Sequence, residues 1–532
     1  GAVTLGSATT VDTNATSNGA DITFNGAITG GSNNLTLSTG NNIAGADVLS
    51  KVAISGLGNL TLADVGGTAT FNANIAAAAF SVDNTVASIN LKGASNTFSG
   101  AASFANDGTL TIGDASSDSF AFNGGLTTSS VAGTVTLNAS SISSSNDAIV
   151  FGAVTLGSNV TIDTNATSTA GDINIGAVTG GSNTLTLSTG NNIANSDVTA
   201  SGVISGVTTL TLIDVGGTAS FSSNVVVTTL TVGNTVANVA FTGNGTVTNA
   251  VTFGNDGTLT LGNASGDSFT FDGGLTVSTA SSTLAGSIDS SNDVITFGAI
   301  TLAAATTIDT NASNTTGDIT IGAVTGNNNN LTLDTISTSG NASHTFTGDI
   351  NLGSGALDVD GDVVLGANVT VTATPGSGTG IRFRDAINAD NASSNDRTLT
   401  LNSGTGSIIN VTGTIGNSQP LAGLTITQSN GTSFASNVDV SDSNSGTITL
   451  TDTQDGSSIF FFNNVTADNF VTAYAHTESP LVARGDVVTR GQKISTVGTT
   501  GAVTFPQLHF EVRQGRKSSD PIKFLPSVMV SR

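Results

Sequence analysis

Three histidines and a short run of aspartates are the groups of this chain whose types and spacing could bind a metal or transfer a proton. His476, Gln507 and His509 lie in one C-terminal stretch, and His344 lies alone far upstream. A catalytic zinc ion needs about three protein ligands and one open position for water. Imidazole is a usual zinc ligand. The C-terminal pair is therefore the first place to look for such a centre.

The run of aspartates is a second candidate for metal binding. The sequence DVDGD places Asp358, Asp360 and Asp362 at alternate positions, and carboxylate oxygens are the ligands that Ca²⁺ prefers. The run lacks the full spacing and the closing Glu of an EF-hand loop. Aspartate also favours turns, because its side chain bonds to nearby backbone amides. A calcium site and a purely structural role both stay open.

The elements that carry these residues are short strands. Runs such as DITF, NLTL, INL and LTI alternate apolar and polar residues, and clusters of Gly, Asn, Asp and Ser separate them. This alternation predicts half-buried strands, and turn signals at intervals of roughly 8–12 residues are typical of all-β proteins. We find no helical period, so we predict an all-β chain.

A longer repeat of the sequence divides the chain. GAVTLGSATTVDTNAT at residue 1 returns as GAVTLGSNVTIDTNAT at residue 152 and as GAITLAAATTIDTNAS at residue 298. Gly1 opens a repeat unit without an initiating Met, which suggests a processed N terminus or a segment of a longer protein. We predict four parts: repeat blocks 1–151 and 152–297, a divergent block 298–472, and a C-terminal segment 473–532.

Two architectures fit such repeats. In a β-solenoid each coil stacks its short strands on the next coil, around a narrow core of small aliphatic residues. In a string of β-sandwiches each repeat forms a separate domain with longer strands and bulkier core residues. The runs here are very short, and Trp is absent. These features favour the solenoid.

Charge and composition exclude several functions. The net charge is −24, which disfavours nucleic acid and anionic membranes as partners. There is no Cys for disulfides or thiolate metal sites. No apolar run is long enough for a membrane-spanning helix. Eight of the 13 Lys and Arg lie in residues 473–532, so the C-terminal segment is basic while the repeats are strongly acidic.

The repeats resemble the shafts of large bacterial surface proteins of the filamentous-haemagglutinin-like and autotransporter-passenger families. The resemblance lies in GAVTLGS, DITFNGAITGGSNNLTLSTG and GNSQPLAGLTITQSNGTSF. It implies a right-handed parallel β-solenoid, export from the cell, and a role in adhesion, matrix or surface coating.

The C-terminal segment resembles the second half of LytM-type domains, the zinc peptidase fold that cuts peptidoglycan cross-bridges. The matching landmarks, over about 57 residues, are YAH at 474–476, GDVVTRGQKI at 485–494, LHFEVR at 508–513 and DPIKFLP at 520–526. Active members take a His and an Asp from the first half of the domain and the second His of an His-x-His strand. The first half has no counterpart in this chain.

The resemblance therefore implies an incomplete zinc site. His509 matches the second His of the pair, Gln507 replaces the first, and His476 matches a His that orients or protonates water. Degenerate LytM domains lose such ligands, and their implied role is to bind and activate cell-wall amidases. We expect no enzymatic activity, and no cofactor unless Ca²⁺ binds at Asp358, Asp360 and Asp362.

Two functions follow as hypotheses. The first is a non-enzymatic structural or adhesive protein of the bacterial cell surface. It would form extracellular rods, filaments or a coat by self-association or with other surface proteins, and the tail would cap the solenoid. The second is a cell-wall regulator, in which the LytM-like tail binds peptidoglycan or an amidase and the repeats are a spacer.

Overall fold

The computed structural model describes most of the chain. The described residues are 1–16, 20–167, 171–278, 281–312, 316–335, 342–390, 397–441, 446–450, 457–467, 470–479, 481–482, 492–500, 503–514 and 517–521, with backbone alone for 470–475, 513–514 and 517–519. The chain forms two compact units, one of residues 1–263 and 267–283 and the other of residues 264–266 and 284–532. No α-helix occurs among the described residues, and accordingly none there is long and apolar enough to cross a membrane.

The first unit is built of short strands. Its strands, β1 to β33 in chain order, are Val3–Thr4, Thr9–Asp12, Ile22–Phe24, Ile28–Thr29, Leu35–Ser38, Val48–Ser50, Ile54–Ala63, Thr68–Phe71, Ile75–Val82, Ser88–Leu91, Ser95–Phe98, Ala102–Phe104, Leu110–Ile112, Ser119–Phe122, Leu126–Thr127, Val135–Leu137, Ser141–Ser143, Ile149–Val150, Val154–Leu156, Val160–Asp163, Ile173–Ile175, Val178–Thr179, Thr184–Ser188, Val198–Ala200, Ile204–Ile213, Thr218–Phe221, Val225–Val232, Asn238–Phe241, Gly245–Val247, Val251–Phe253, Thr258–Leu261, Ser268–Phe271 and Leu275–Val277.

The second unit continues the same pattern and then changes it. Strand β34, Ser281–Asp289, begins before the unit boundary. Strands β35 to β57 are Ile295–Thr296, Ile300–Asp309, Ile319–Ile321, Val324–Thr325, Leu331–Asp334, Ser343–Phe346, Ile350–Gly353, Leu357–Asp360, Asp362–Leu365, Val369–Ala373, Thr379–Phe383, Ile387–Ala389, Thr398–Asn402, Ile408–Val411, Gly423–Gln428, Thr432–Phe434, Val438–Val440, Thr447–Leu450, Ile459–Phe461, Val465–Ala467, Phe470–Ala475, His509–Gln514 and Lys517–Ser519.

Parallel pairing between successive coils defines the architecture of both units up to residue 467. In the first unit β10 (Ser88–Leu91) pairs in parallel with β8 (Thr68–Phe71) below it and with β13 (Leu110–Ile112) above it. In the second unit β42 (Leu357–Asp360) lies in the same way between β39 and β45. This is a parallel β-solenoid, as predicted, because tandem sandwiches would pair their neighbouring strands antiparallel. The right-handed sense and the repeat-block boundaries stay predictions.

Alternation along each short strand makes the core. In β10 the side chains of Ile89 and Leu91 are fully buried, while Ser88 and Asn90 lie at the surface of the coil. Ile89 stacks on Ala69 and under Leu110. Because side chains alternate across a strand, each inward position becomes an aliphatic column that runs from coil to coil.

Phenylalanine fills the widest parts of this core. The rings of Phe98 and Phe122 stack with centroids 5.1 Å apart and planes 7° apart, and Phe80 lies 5.6 Å from Phe98. Phe221 and Phe241 form a similar stack at 4.7 Å. Stacked aromatic pairs add to the energy of burial, so these residues compensate for the lack of Trp.

Aspartates that recur at matching positions of the repeats form the hydrogen bonds of the turns. Asp12, Asp163 and Asp309 each accept the N–H of the Asn two residues further on, at 2.8, 2.8 and 2.6 Å. These Asn residues have φ of 47°, 46° and 47°, a conformation that Asn tolerates better than most residues. A second repeated set bonds to the next coil, where Asp21, Asp172 and Asp318 accept backbone N–H groups at 3.0, 2.9 and 2.7 Å.

We predict that Phe98→Ala destabilises the coils around β11 (Ser95–Phe98) by about 3–5 kcal/mol, because it removes a fully buried ring and leaves a cavity. Thr97→Ala is the matched control. Thr97 is the neighbouring, outward-facing residue, and its change should stay within about 0.5 kcal/mol. Native-state amide exchange of strands 95–98 and 119–122 measures both. Equal effects of the two substitutions would contradict the assigned core.

Candidate functional site

The end of the second unit contains a small antiparallel sheet. Strand β55 (Phe470–Ala475) pairs with β56 (His509–Gln514), and β56 pairs with β57 (Lys517–Ser519). In this register Ala475 lies opposite His509. Within the described residues these three strands form a sheet of their own. The antiparallel pairing places His509 beside the residue that precedes His476.

A second set of pairings brings Gln507 to the same place. Thr477 bridges Val497, and Gly498 bridges Gln507, both antiparallel. The N–H of Gly498 donates to the carbonyl of His476 at 2.9 Å, and the N–H of Gln507 donates to the carbonyl of Gly498 at 3.2 Å. Residues that the sequence separates by about thirty positions therefore meet around Gly498.

The two imidazoles are neighbours. The ring centroids of His476 and His509 lie 6.3 Å apart, with the ring planes at 82°. His476 Nδ1 lies 2.7 Å from the carbonyl oxygen of Thr500. A carbonyl only accepts, so Nδ1 donates and the lone pair of this ring is on Nε2. His476 has φ of 62°, a backbone conformation that points to a local constraint on this residue.

The described residues of the tail do not make a zinc centre. Among them no group of three His, Cys, Asp or Glu side chains could hold a metal ion. Gln507, whose backbone pairs with Gly498, carries an amide, whereas zinc ligands in proteins are Cys, His, Asp and Glu. What the geometry offers is a pair of neighbouring imidazoles that can make hydrogen bonds to a partner.

His344 does not complete this set of metal ligands. It lies in the solenoid core, in β40 (Ser343–Phe346), with its side chain fully buried. The remaining landmarks of the C-terminal segment, residues 483–491 and 522–532, lie outside the described residues.

The predicted calcium ligands are engaged in other interactions. Asp358 forms ion pairs with Arg382 at 3.3 Å and with Arg384 at 2.8 Å, and Asp360 pairs with Arg384 at 3.2 Å. Asp362 accepts the backbone N–H of Ala386 at 3.0 Å. These carboxylates are neutralised by arginine or bonded to the backbone, and the structure does not gather them into a metal-binding group.

Asp360, one of the calcium candidates, stands in a column of carboxylates whose members the sequence analysis did not predict as a set. Asp309, Asp334 and Asp360 lie in register on three successive coils of the second unit. Burial raises the pKa of Asp309, and the neighbouring charges of Asp334 and Asp289 raise it further, against the opposing N–H of Asn311. Burial also raises the pKa of Asp360, although Arg384 opposes this change. No local motif signals this column, because it depends on coil length.

The tail also exposes large apolar side chains that the sequence did not single out. Leu481, Val497, Phe505 and Leu508 are 58%, 53%, 62% and 49% exposed. Gly498 bridges Gln507 in antiparallel register, so Val497, which precedes Gly498, and Leu508, which follows Gln507, lie opposite each other. Exposed apolar residues grouped in this way are typical of interaction surfaces.

Comparison with known protein families gives a match at the C-terminal end of the chain. Residues 423–521 match the model of Peptidase family M23. The first part of that match, from β49 (Gly423–Gln428) to β54 (Val465–Ala467), is built as parallel solenoid strands. Only the part from residue 470 onward is antiparallel. No solved structure matches the chain.

Several bacterial proteins are similar to this chain over part of its length. The murein hydrolase activator NlpD of Escherichia coli is 44% identical over 59 residues, which are 11% of this chain and 15% of the relative. The uncharacterized lipoprotein YgeR of E. coli is 42% identical over 60 residues, 11% of this chain and 24% of the relative. The cell division protein DipM of Caulobacter vibrioides is 36% identical over 129 residues, 24% of this chain and 20% of the relative.

These likenesses are confined to a minor part of each protein. The chain spans no more than about a quarter of the length of these three relatives, and the family match covers 99 of the 532 residues. The conclusion that they support is that a β-solenoid is joined in this chain to a C-terminal segment of M23, or LytM, type.

Proposed function

We propose that this chain is a non-enzymatic, cell-wall-associated protein of the bacterial envelope, whose M23-like tail binds a murein hydrolase or peptidoglycan while the solenoid acts as a spacer. The observation that carries the proposal is the tail itself. It pairs the strands around His476 and His509 in antiparallel register and is similar to murein hydrolase activators. Among the described residues no third His, Cys, Asp or Glu joins these two histidines to form a metal site.

The surface of the tail fits binding better than chemistry. Leu508 lies between Gln507 and His509, so one short strand presents an exposed apolar side chain beside polar ones. Apolar anchors surrounded by polar groups are what protein interfaces use for affinity and specificity. The basic charge of residues 473–532 adds attraction to an acidic partner, since eight of the 13 Lys and Arg lie there.

A structural or adhesive role at the cell surface is the second candidate. It rests on the parallel coils found in each unit, and would require association of copies or binding to other surface proteins. If this role is the principal one, removal of residues 470–532 should leave self-association, measured by sedimentation velocity, unchanged.

We predict that Leu508→Asp weakens binding of the full chain to its cell-wall partner at least about tenfold, because a buried contact would receive a charge. The matched control is Val226→Asp, at a strand position of the first unit with similar exposure, 46% against 49%. Co-sedimentation with purified sacculi and stimulation of an N-acetylmuramoyl-alanine amidase measure the two forms of binding. Equal behaviour of both variants in both assays would contradict the proposed surface.

The same assay tests the absence of catalysis. Sacculi incubated with the chain alone, with added zinc or with chelator, should release no more soluble muropeptide than buffer does. Zinc-dependent release by the chain alone would overturn the non-enzymatic part of the proposal and leave the binding part standing.

We also predict that Gly498→Ala disrupts the tail while leaving the solenoid folded. A Cβ at residue 498 would lie 2.7 Å from the Cα of Glu478, closer than real Cβ contacts allow. The backbone around residue 498 must then move away from Glu478, which disturbs the bridges of Val497 to Thr477 and of Gly498 to Gln507. Amide exchange of residues 494–500 and 507–512 should become faster, by at least about tenfold, and Thr499→Ala should show no such change. Unchanged exchange in Gly498→Ala would mean that these pairings do not hold the tail together.

A further inference from the structure

The core of the second unit contains a histidine in an aliphatic column. Ile319 lies in register with His344, and His344 lies in register with Val363 on the following coil. The same column continues to Ile295 on one side and Ile387 on the other. The side chain of His344 is fully buried, so an ionisable ring occupies a position that its neighbours fill with aliphatic groups.

The hydrogen bonds of this ring fix its proton. His344 Nε2 lies 2.9 Å from the backbone oxygen of Asp360 and 3.3 Å from Thr335 Oγ1. The carbonyl can only accept, so the neutral ring carries its proton on Nε2. Nδ1 is buried and has no hydrogen-bond partner among the described residues. A second proton would therefore create a buried N–H⁺ without an acceptor.

The packing leaves the ring little room to turn toward solvent. Gly361 has φ of 120°, and a Cβ at that position would lie 3.0 Å from His344 Nε2. The glycine brings its backbone against the edge of the imidazole. A charged ring can gain water or an acceptor only if the coil itself moves.

Nearby charges reduce the cost of protonation without removing it. Asp318, Asp334 and Asp385 lie on the elements around the ring and favour the charged form, as does the backbone oxygen of Asp360. The carboxylate of Asp360 is paired with Arg384, and Asp362 is bonded to a backbone amide. Burial outweighs these attractions and lowers the pKa of His344 to about 4.

We propose that His344 is an acid-sensitive switch: its protonation opens the coil that contains Ser343–Phe346, while the first unit stays closed. The first unit contains no histidine, because all three of the chain lie at residue 344 or beyond. Opening would expose the edges of the two neighbouring strands, which hydrogen-bond to Ser343–Phe346 in the closed form.

The direction of the pH effect and the pH range in which it occurs follow from the linkage between protonation and opening of the coil. In the open coil the histidine has its ordinary pKa of 6.5, and in the closed coil the value is about 4. The open form therefore binds the proton first, so the closed coil keeps its full stability above pH 6.5 and loses it as the pH falls toward 4. The equilibrium constant for opening should rise about tenfold per pH unit in this window, to a limit of about 300-fold.

Hydrogen exchange of the full chain tests the switch. Between about pH 7 and pH 5, after correction for intrinsic exchange rates, the opening constant for residues 342–365 should rise about 20-fold, and residues 88–137 of the first unit should change much less. In His344→Gln, which keeps an N–H donor without a titrating ring, the rise should disappear. In His476→Gln, the matched loss of another histidine, the rise should persist. A rise of equal size in wild type and His344→Gln would overturn the proposal.

A second measurement remains decisive if His344→Gln does not fold. The three histidine ring signals of the wild-type chain can be followed by NMR during acid titration, with His476→Gln and His509→Gln identifying two of them. The third signal, that of His344, should titrate with a midpoint near 4, or it should change at a higher pH because the coil opens. A simple titration near 6.5 with unchanged amide exchange would overturn the switch.

Discussion

Hydrogen bonding in register between parallel strands of successive coils is the constraint on which the rest of this structure depends. Each short strand is too small to be stable alone, and its backbone groups are satisfied only by the coils on either side. Register then decides which side chains meet. A shift of one residue would bring the buried Ile89 and Leu91 to the surface. The alternating apolar and polar pattern therefore fixes the stacking as well as the strands.

Much of this could be predicted from local sequence. Alternation predicted the strands, and the absence of long runs and of Trp predicted coils in place of sandwiches. The contacts between coils could not be predicted in the same way. Asp309, Asp334 and Asp360 are separated by 25 and 26 residues, and the ion pair of Asp358 with Arg384 spans 26. Each such contact depends on the exact length of the intervening turns, which sequence pattern does not specify.

In the tail, the sequence predicted which distant residues come together but did not predict which side chains are exposed. Its motifs are specific enough to indicate that His476 and His509 belong to one site, and the antiparallel register brings them together. The exposure of Leu508 and Val497 could not be predicted, because it depends on which part of the fold is present to cover them. The strand that begins at His509 retains hydrogen-bonding groups, and the function proposed for the tail requires only that such groups take part in recognition.

Three half-buried carboxyl groups and one buried histidine in the second unit respond to acid in opposite directions. The carboxyl groups of Asp289, Asp309 and Asp360 have pKa values raised mainly by burial, so the folded state takes up their protons more readily than the unfolded state. Their contribution to stability therefore increases as the pH falls through the raised values toward the ordinary 3.8.

The histidine acts earlier in the same titration. Its ordinary pKa is 6.5 and its folded value is about 4, so its destabilising effect begins near neutral pH, before most carboxyl groups take up a proton. The same low-polarity environment disfavours charge in both cases. It destabilises a histidine that becomes charged when it gains a proton, and it favours an aspartate that becomes neutral when it gains one. Because His344 contacts the backbone of Asp360, the two opposite responses are located in adjoining coils of one unit.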